Sequence, residues 1–185
     1  MTYNQFLFLL YYNMKPSIQF PVRYLPKILD NNDKKKQIKM LVKSQRLYKK
    51  GIYYTREKVA SFKNNKSNHI ANARKIYKNE NISPTKELAV KTGCKLEVLK
   101  KIVQKGEGAY YSSGSRPNQT AQSWGLARLA SALTSGKAAA VDYKIIRDGC
   151  DHKKKAFILA NKSKKKYKLG HSKAKKVTIR PTNNL

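Results

Sequence analysis

Lys86-Glu-Leu-Ala-Val-Lys-Thr-Gly-Cys-Lys-Leu-Glu-Val-Leu-Lys-Lys-Ile102 is the stretch that decides the fold class. Ser83 and Pro84 ahead of it supply a helix start, with Ser83 as the cap and Pro84 at the first helical position, where a missing N–H costs nothing. Leu88 and Ala89 follow, and Gly93 takes the left-handed conformation that a sharp turn needs without a Cβ penalty. Leu96, Val98, Leu99, Ile102 and Val103 then recur on one side of a second helix that closes at Gly106. Small Ala89 permits close helix approach, and Val98 and Ile102 bury the second helix. This is the pattern of a helix-turn-helix. Such hairpins also occur in proteins that never touch DNA, so the pattern speaks for architecture before function. As a DNA reader it would turn Lys95, Glu97, Lys100 and Lys101 to the groove, where lysine mainly meets phosphate. With no Arg, Asn or Gln among them, base reading has little to work with.

Downstream, Lys105-Gly-Glu-Gly-Ala-Tyr-Tyr-Ser-Ser-Gly-Ser-Arg-Pro-Asn-Gln-Thr120 reads as a loop. Gly106, Gly108 and Gly114 permit unusual backbone angles, and Ser112, Ser113, Ser115 and Arg116 offer donors to an oxyanion such as phosphate. It is not a Walker loop, because no Gly-Lys-Ser/Thr closes it. The preferred reading is structural, with Tyr110 and Tyr111 packing and Arg116 donating to helix C-terminal carbonyls. Residues 117–135, around Trp124, Gly125, Ala127 and Ala130, predict a helix of small residues that lets another helix come close. Residues 137–147 predict a final core helix closed by Gly149, and the two make a second αα-hairpin.

Upstream, Asp30 and Asp33 open a helix that runs to about Lys49 and ends at Gly51. Ile38, Leu41, Val42 and Gln45 form its buried side, and Lys35, Lys36, Lys39, Lys43 and Arg46 its basic face. Residues 51–62 are rich in strand formers and predict a turn or short strand, and 70–78 a further short basic helix. The expected fold is therefore mainly α: a small helical domain with basic N- and C-terminal arms. Its parts are an apolar then extended arm over 1–29, a basic amphipathic region over 30–78, a core module over 79–150 and a Lys-rich arm over 151–185.

The charge follows these divisions. The chain has 185 residues, with 41 Lys+Arg against 10 Asp+Glu and a net charge of +31. Residues 15–78 carry +15 and 151–185 carry +11, against +5 for 79–150. Self-repulsion on this scale makes an anionic partner stabilising as well as attractive. Lys153, Lys154, Lys155, Lys164, Lys165 and Lys166 join the basic face of residues 35–46, with Lys95, Lys100, Lys101 and Arg116, as the expected contacts to nucleic acid or an acidic partner. Residues 5–12 are apolar but far short of the roughly 20 needed to cross a bilayer. Packing on a protein surface is preferred for them over membrane contact.

Catalytic chemistry finds little support. Cys94 and Cys150 allow at most one bridge, and His69, His152 and His171 are not spaced as ligand pairs. No nucleophile, base and orienting group stand together, and Asp142 and Asp148, six apart, do not share a helix face well. Neither cofactor nor metal is expected.

Four segments carry a family resemblance: Arg23-Tyr-Leu-Pro-Lys, Tyr48-Lys-Lys-Gly-Ile-Tyr-Tyr-Thr-Arg, Gly108-Ala-Tyr-Tyr-Ser-Ser-Gly-Ser-Arg-Pro-Asn-Gln-Thr and Ser123-Trp-Gly-Leu-Ala-Arg-Leu-Ala-Ser. Together they resemble an uncharacterised family of small basic proteins from large (nucleocytoplasmic) DNA viruses, with similar segments in some aquatic phages. The likeness covers about residues 20 to 160 and brings no catalytic residues with it. It implies viral origin and a place in the virion. The expected function is that of a virion structural protein, a minor capsid or internal protein that cements larger subunits, major capsid subunits among them, through basic arms. The alternative is a non-specific DNA-binding or genome-condensing protein that uses the helix-turn-helix-like hairpin and Lys-rich tails on viral DNA.

Overall fold

The computed structural model describes residues 17–64, 68–168 and 174–179. The apolar segment 5–12 lies outside the described residues. In chain order the elements are β1 (Ile18–Pro21), a 3-10 turn (Val22–Tyr24), α1 (Asn31–Tyr48), α2 (Asn68–Tyr77), α3 (Lys86–Thr92), α4 (Leu96–Ser112), α5 (Ala121–Leu133), α6 (Lys137–Val141), α7 (Tyr143–Gly149), α8 (Lys155–Tyr167) and β2 (Lys176–Ile179). The fold is mainly α, as the periodicity requires. β1 and β2 form a two-stranded antiparallel ribbon, with Ile18 opposite Ile179 and Phe20 opposite Val177.

The helix-turn-helix pattern is realised as α3 and α4, with Gly93 left-handed at φ +70°. Its start differs from the expected one. Thr85, not Ser83, caps α3 by accepting the Leu88 N–H, because an extended Thr85 places its hydroxyl over the first turn. Ser83 instead donates to Asn81. The end of α4 differs more. Leu99, Ile102, Val103, Gly106 and Tyr110 continue one buried stripe, so the helix runs through Gly106 and Gly108 to Ser112.

Gly106 is thus a packing residue. A Cβ there would lie 2.6 Å from the Cα of Gly125, so α4 and α5 cross almost backbone to backbone, the most extensive helix contact in the molecule. A Cβ on Gly125 would meet Val103 Cγ1 and the Val103 carbonyl oxygen, both at 2.9 Å. Gly125→Ala is expected to cost about 1–3 kcal/mol through overpacking. Urea titration checks this, and an unchanged midpoint would refute the close crossing.

The main core joins α2 through α8 around Leu88, Leu99, Ile102, Leu129, Leu133 and Ile146. A second cluster packs Phe20, Tyr24 and Leu25 on Ile38 and Leu41 of α1, with Trp124 against Tyr24. α1 is capped by Asp30, whose carboxylate accepts the Asp33 N–H. Segment 51–62 forms no strand, although its residues favour one. Its backbone bonds side chains instead: Val59 N–H donates to Asn118 Oδ1, and Asn118 Nδ2 donates to the carbonyls of Val59 and Phe62. One asparagine stands where a partner strand would.

The expected final helix breaks in two at Asp142. The Lys-rich C-terminal region also enters the folded body earlier than its composition predicts. Ala156, Ala160 and Ser163 form a buried stripe along α8, and Ser163 Oγ donates to the Gly136 carbonyl. A disulfide joins Cys94, in the turn between α3 and α4, to Cys150 at the end of α7. Backbone bonds flank it on both sides, Lys95 N–H to Gly149 O and Asp151 N–H to Gly93 O.

Candidate functional site

Positive charge is displayed on helices, and the helices place it in two groups. On α1, Lys35, Lys36, Lys39, Lys43 and Arg46 are all exposed, opposite the buried Gln37, Ile38, Leu41 and Ser44. Asn32, Lys35, Lys36, Lys39, Met40 and Glu57 line an open depression on this face. Lys36 Nζ pairs with Glu57 at 2.8 Å. That hydrogen bond raises the lysine pKa and lowers that of the glutamate. Lys43 Nζ lies 4.6 Å above the ring of Tyr54, a cation–π contact.

The second group gathers on α4, α7 and α8. Lys95, Lys100 and Lys101 are exposed along the α4 face that the helix-turn-helix pattern assigns to a groove. Lys101 and Lys144 both act on Asp148, whose pKa is lowered first by its hydrogen bond from Arg147. Lys144 and Arg147 therefore belong to this surface. The sequence pattern assigns them to a core helix and not to a basic face, although their spacing of three from each other is a readable sign of a shared face.

Nearby, the stem of Lys154 covers Gly93, and Lys153 N–H donates to Asp151. Lys155 begins α8, and Lys164 Nζ sits 4.4 Å over Tyr143. Lys165 and Lys166 project from the last turn of α8. The segment 149–154 thus roofs the α3–α4 turn, with Asp148 and Asp151 at its edge. A duplex approaching that turn would meet these carboxylates together with the lysines.

Arg116 is exposed, and the role expected of it belongs to Arg56. Arg56 is only 8% exposed. Its Nη1 donates to the Tyr110 carbonyl near the end of α4 and to Ser44 Oγ, each at 3.0 Å, and its Nη2 to Ser115 Oγ at 2.7 Å. The guanidinium lies 3.6 Å from the Tyr110 ring centroid. Burial lowers its pKa, and the dipoles around it stand in for a carboxylate. The Ser-Gly-Ser-Arg-Pro loop is therefore filled from within by this side chain. Among its glycines only Gly114 is left-handed, at φ +95°, pressed against Leu41 and Tyr24.

The ten carboxylates are nearly all committed. Glu57, Glu80, Glu87, Asp142 and Asp148 hold cations of the chain itself. Asp30 caps α1, Asp151 accepts the Lys153 N–H, and Asp33 accepts the N–H and hydroxyl of Ser61, which lower its pKa. Counted in full, the ten carboxylates still leave the 41 Lys+Arg of the chain with a net +31.

Among the described residues no group of three His, Cys, Asp or Glu is placed to hold a metal ion, and no helix is long and apolar enough to cross a membrane. In comparison with known proteins, residues 21–149 match a family model described as a family of unknown function, DUF5824. No curated protein and no solved structure matches the chain.

Proposed function

Since the chain belongs to the DUF5824 family, whose function is unknown, its own chemistry has to supply the reading, and we propose that it is a virion structural protein, a minor capsid or internal component that cements larger subunits by binding their acidic surfaces. The observation that carries this is the exposed charge of α1, α4, α7 and α8 in a chain whose 41 Lys+Arg face only 10 Asp+Glu. Charge spread over helix faces suits broad anchoring, where a cleft would suit a small substrate. The Cys94–Cys150 bridge adds support, because disulfides persist on secreted proteins and virions and are rare in reducing cytosol.

Cross-linking of intact particles tests the reading. Lysines of α1 and α8, such as Lys39 and Lys165, are expected to join major capsid subunits at acidic patches. Cross-links confined to genome-core proteins would overturn it.

A second reading is favoured by the α3–α4 hairpin itself: non-specific DNA binding. It predicts that duplex affinity falls by orders of magnitude between roughly 50 and 200 mM salt, with little dependence on sequence. Salt-insensitive binding or a strong preference for one sequence would rule it out.

A further inference from the structure

Tyr48 ends α1, and the chain then turns straight back. Gly51, at φ +75°, donates its N–H to the Tyr48 carbonyl, and Ile52 N–H donates to the Leu47 carbonyl. The return sets Tyr53 beside Tyr48, with ring centroids 6.0 Å apart. The last turn of α4 adds Tyr111, 5.0 Å from Tyr53 and 6.3 Å from Tyr48, the latter two rings nearly parallel. Tyr110 supports Tyr111 edge-on from the core, itself held under Arg56. Tyr53 is nevertheless 67% exposed, and Ile52 beside it 50%.

Cations follow the cluster's first ring in the chain. Lys49 and Lys50, next after Tyr48, are exposed in the turn that sets Tyr53 beside it. Of the nearest carboxylates along the chain, Glu57 is taken up by Lys36, and Glu107 lies one turn before Tyr111 on α4. An acidic protein would be satisfied by the lysines and would leave the rings in water. Unpaired bases use both, since every base has a face that stacks on tyrosine while its phosphate takes a cation. A duplex buries those base faces.

We propose that the Tyr48, Tyr53 and Tyr111 cluster is a stacking platform for single-stranded nucleic acid, with Lys49 and Lys50 on the phosphates. The site goes beyond the cementing role and does not depend on it.

Fluorescence anisotropy of the full chain tests this with three labelled ligands at about 150 mM salt: an oligo(dT) strand of about 20 nucleotides, a duplex of the same length, and heparin, which has charge but no bases. Tyr53→Ala is expected to weaken oligo(dT) binding about 10-fold and to leave duplex and heparin binding unchanged, while Tyr53→Trp retains oligo(dT) binding. The exposed side chain makes folded variants the expectation, and a thermal melt verifies them. No oligo(dT) binding by the wild type, no loss with Tyr53→Ala, or an equal loss on all three ligands would each overturn the platform. Failure of the cementing role is read separately, from the particle cross-links.

Discussion

Asp142→Ala is expected to lower stability by about 3 kcal/mol, a fifth or more of the roughly 5–15 kcal/mol that keeps a domain of ordinary stability folded. Asp142 is buried, and both its oxygens are taken. Arg128 grips it in a fork, Nε to Oδ2 at 2.7 Å and Nη2 to Oδ1 at 2.8 Å, and Lys105 Nζ reaches Oδ1 at 2.8 Å. These three residues tie α4, α5 and the α6–α7 junction together at one point. Removing the carboxylate leaves two cations facing each other, with Arg128 only 20% exposed. The cost falls at the lower end of the range for a broken buried pair because Lys105, at 44% exposure, can turn to water.

The Asp142 backbone has its own part in the break. Its N–H closes α6 on the Ala138 carbonyl, and its carbonyl accepts the Ile146 N–H that begins α7. Asp142→Asn keeps that backbone role and the side-chain shape while removing the charge, so it separates the two contributions. The buried-pair account predicts that Asp142→Leu combined with Arg128→Met is less damaging than the single changes added together. Urea denaturation measures all five variants, the two single changes of the cycle included. A loss below about 1 kcal/mol for Asp142→Ala would show that the triad is ordinary surface pairing.

What could be read in the chain, and what could not, follows from how far each signal reaches. α1 and the α3–α4 hairpin are legible because their cause is local: apolar residues at helical spacing, a capping Asp30 and a left-handed Gly93. The length of α4 is not legible locally, because Gly106 and Gly108 look like punctuation until Gly125 is seen on the other side. Arg56 was invisible for the same reason. In Tyr53-Tyr-Thr-Arg-Glu-Lys-Val59 nothing distinguishes it from a surface cation, and its burial is made by Ser44, Tyr110 and Ser115, residues remote in sequence. Asp142 figures in the sequence reading only as half of a carboxylate pair with Asp148, yet its surroundings carry a further sign. A lone carboxylate within Ala138-Ala-Ala-Val-Asp-Tyr-Lys-Ile-Ile146 needs a buried cation, and Arg128 sits in the preceding helix. The basic faces were half legible: exposed lysines follow from residue type, while the grouping of Lys101 with Lys144 and Arg147 needed the packing of α7 on α4.

Reduction of Cys94–Cys150 is the second large effect expected. The bridge closes a span of 56 residues. On chain-entropy grounds its loss releases about 4 kcal/mol of constraint on the unfolded chain. For a chain of this size that corresponds to a fall in Tm of about 8–16 °C. The native arrangement has reason to outlast the bond. Lys95 N–H to Gly149 O at 2.9 Å and Asp151 N–H to Gly93 O at 2.7 Å hold the same two segments together, and Gly149 packs on Val98. Reduction should therefore lower the melting temperature while leaving helical content below the transition unchanged. A Cys94→Ser, Cys150→Ser double variant should melt where the reduced wild type does and be indifferent to dithiothreitol. If reduction shifts Tm by less than about 2 °C, the flanking backbone bonds already hold the turn and the disulfide contributes little. If helical content collapses on reduction, the bridge is what docks α7 and α8 onto the hairpin, and the two backbone bonds are its consequence.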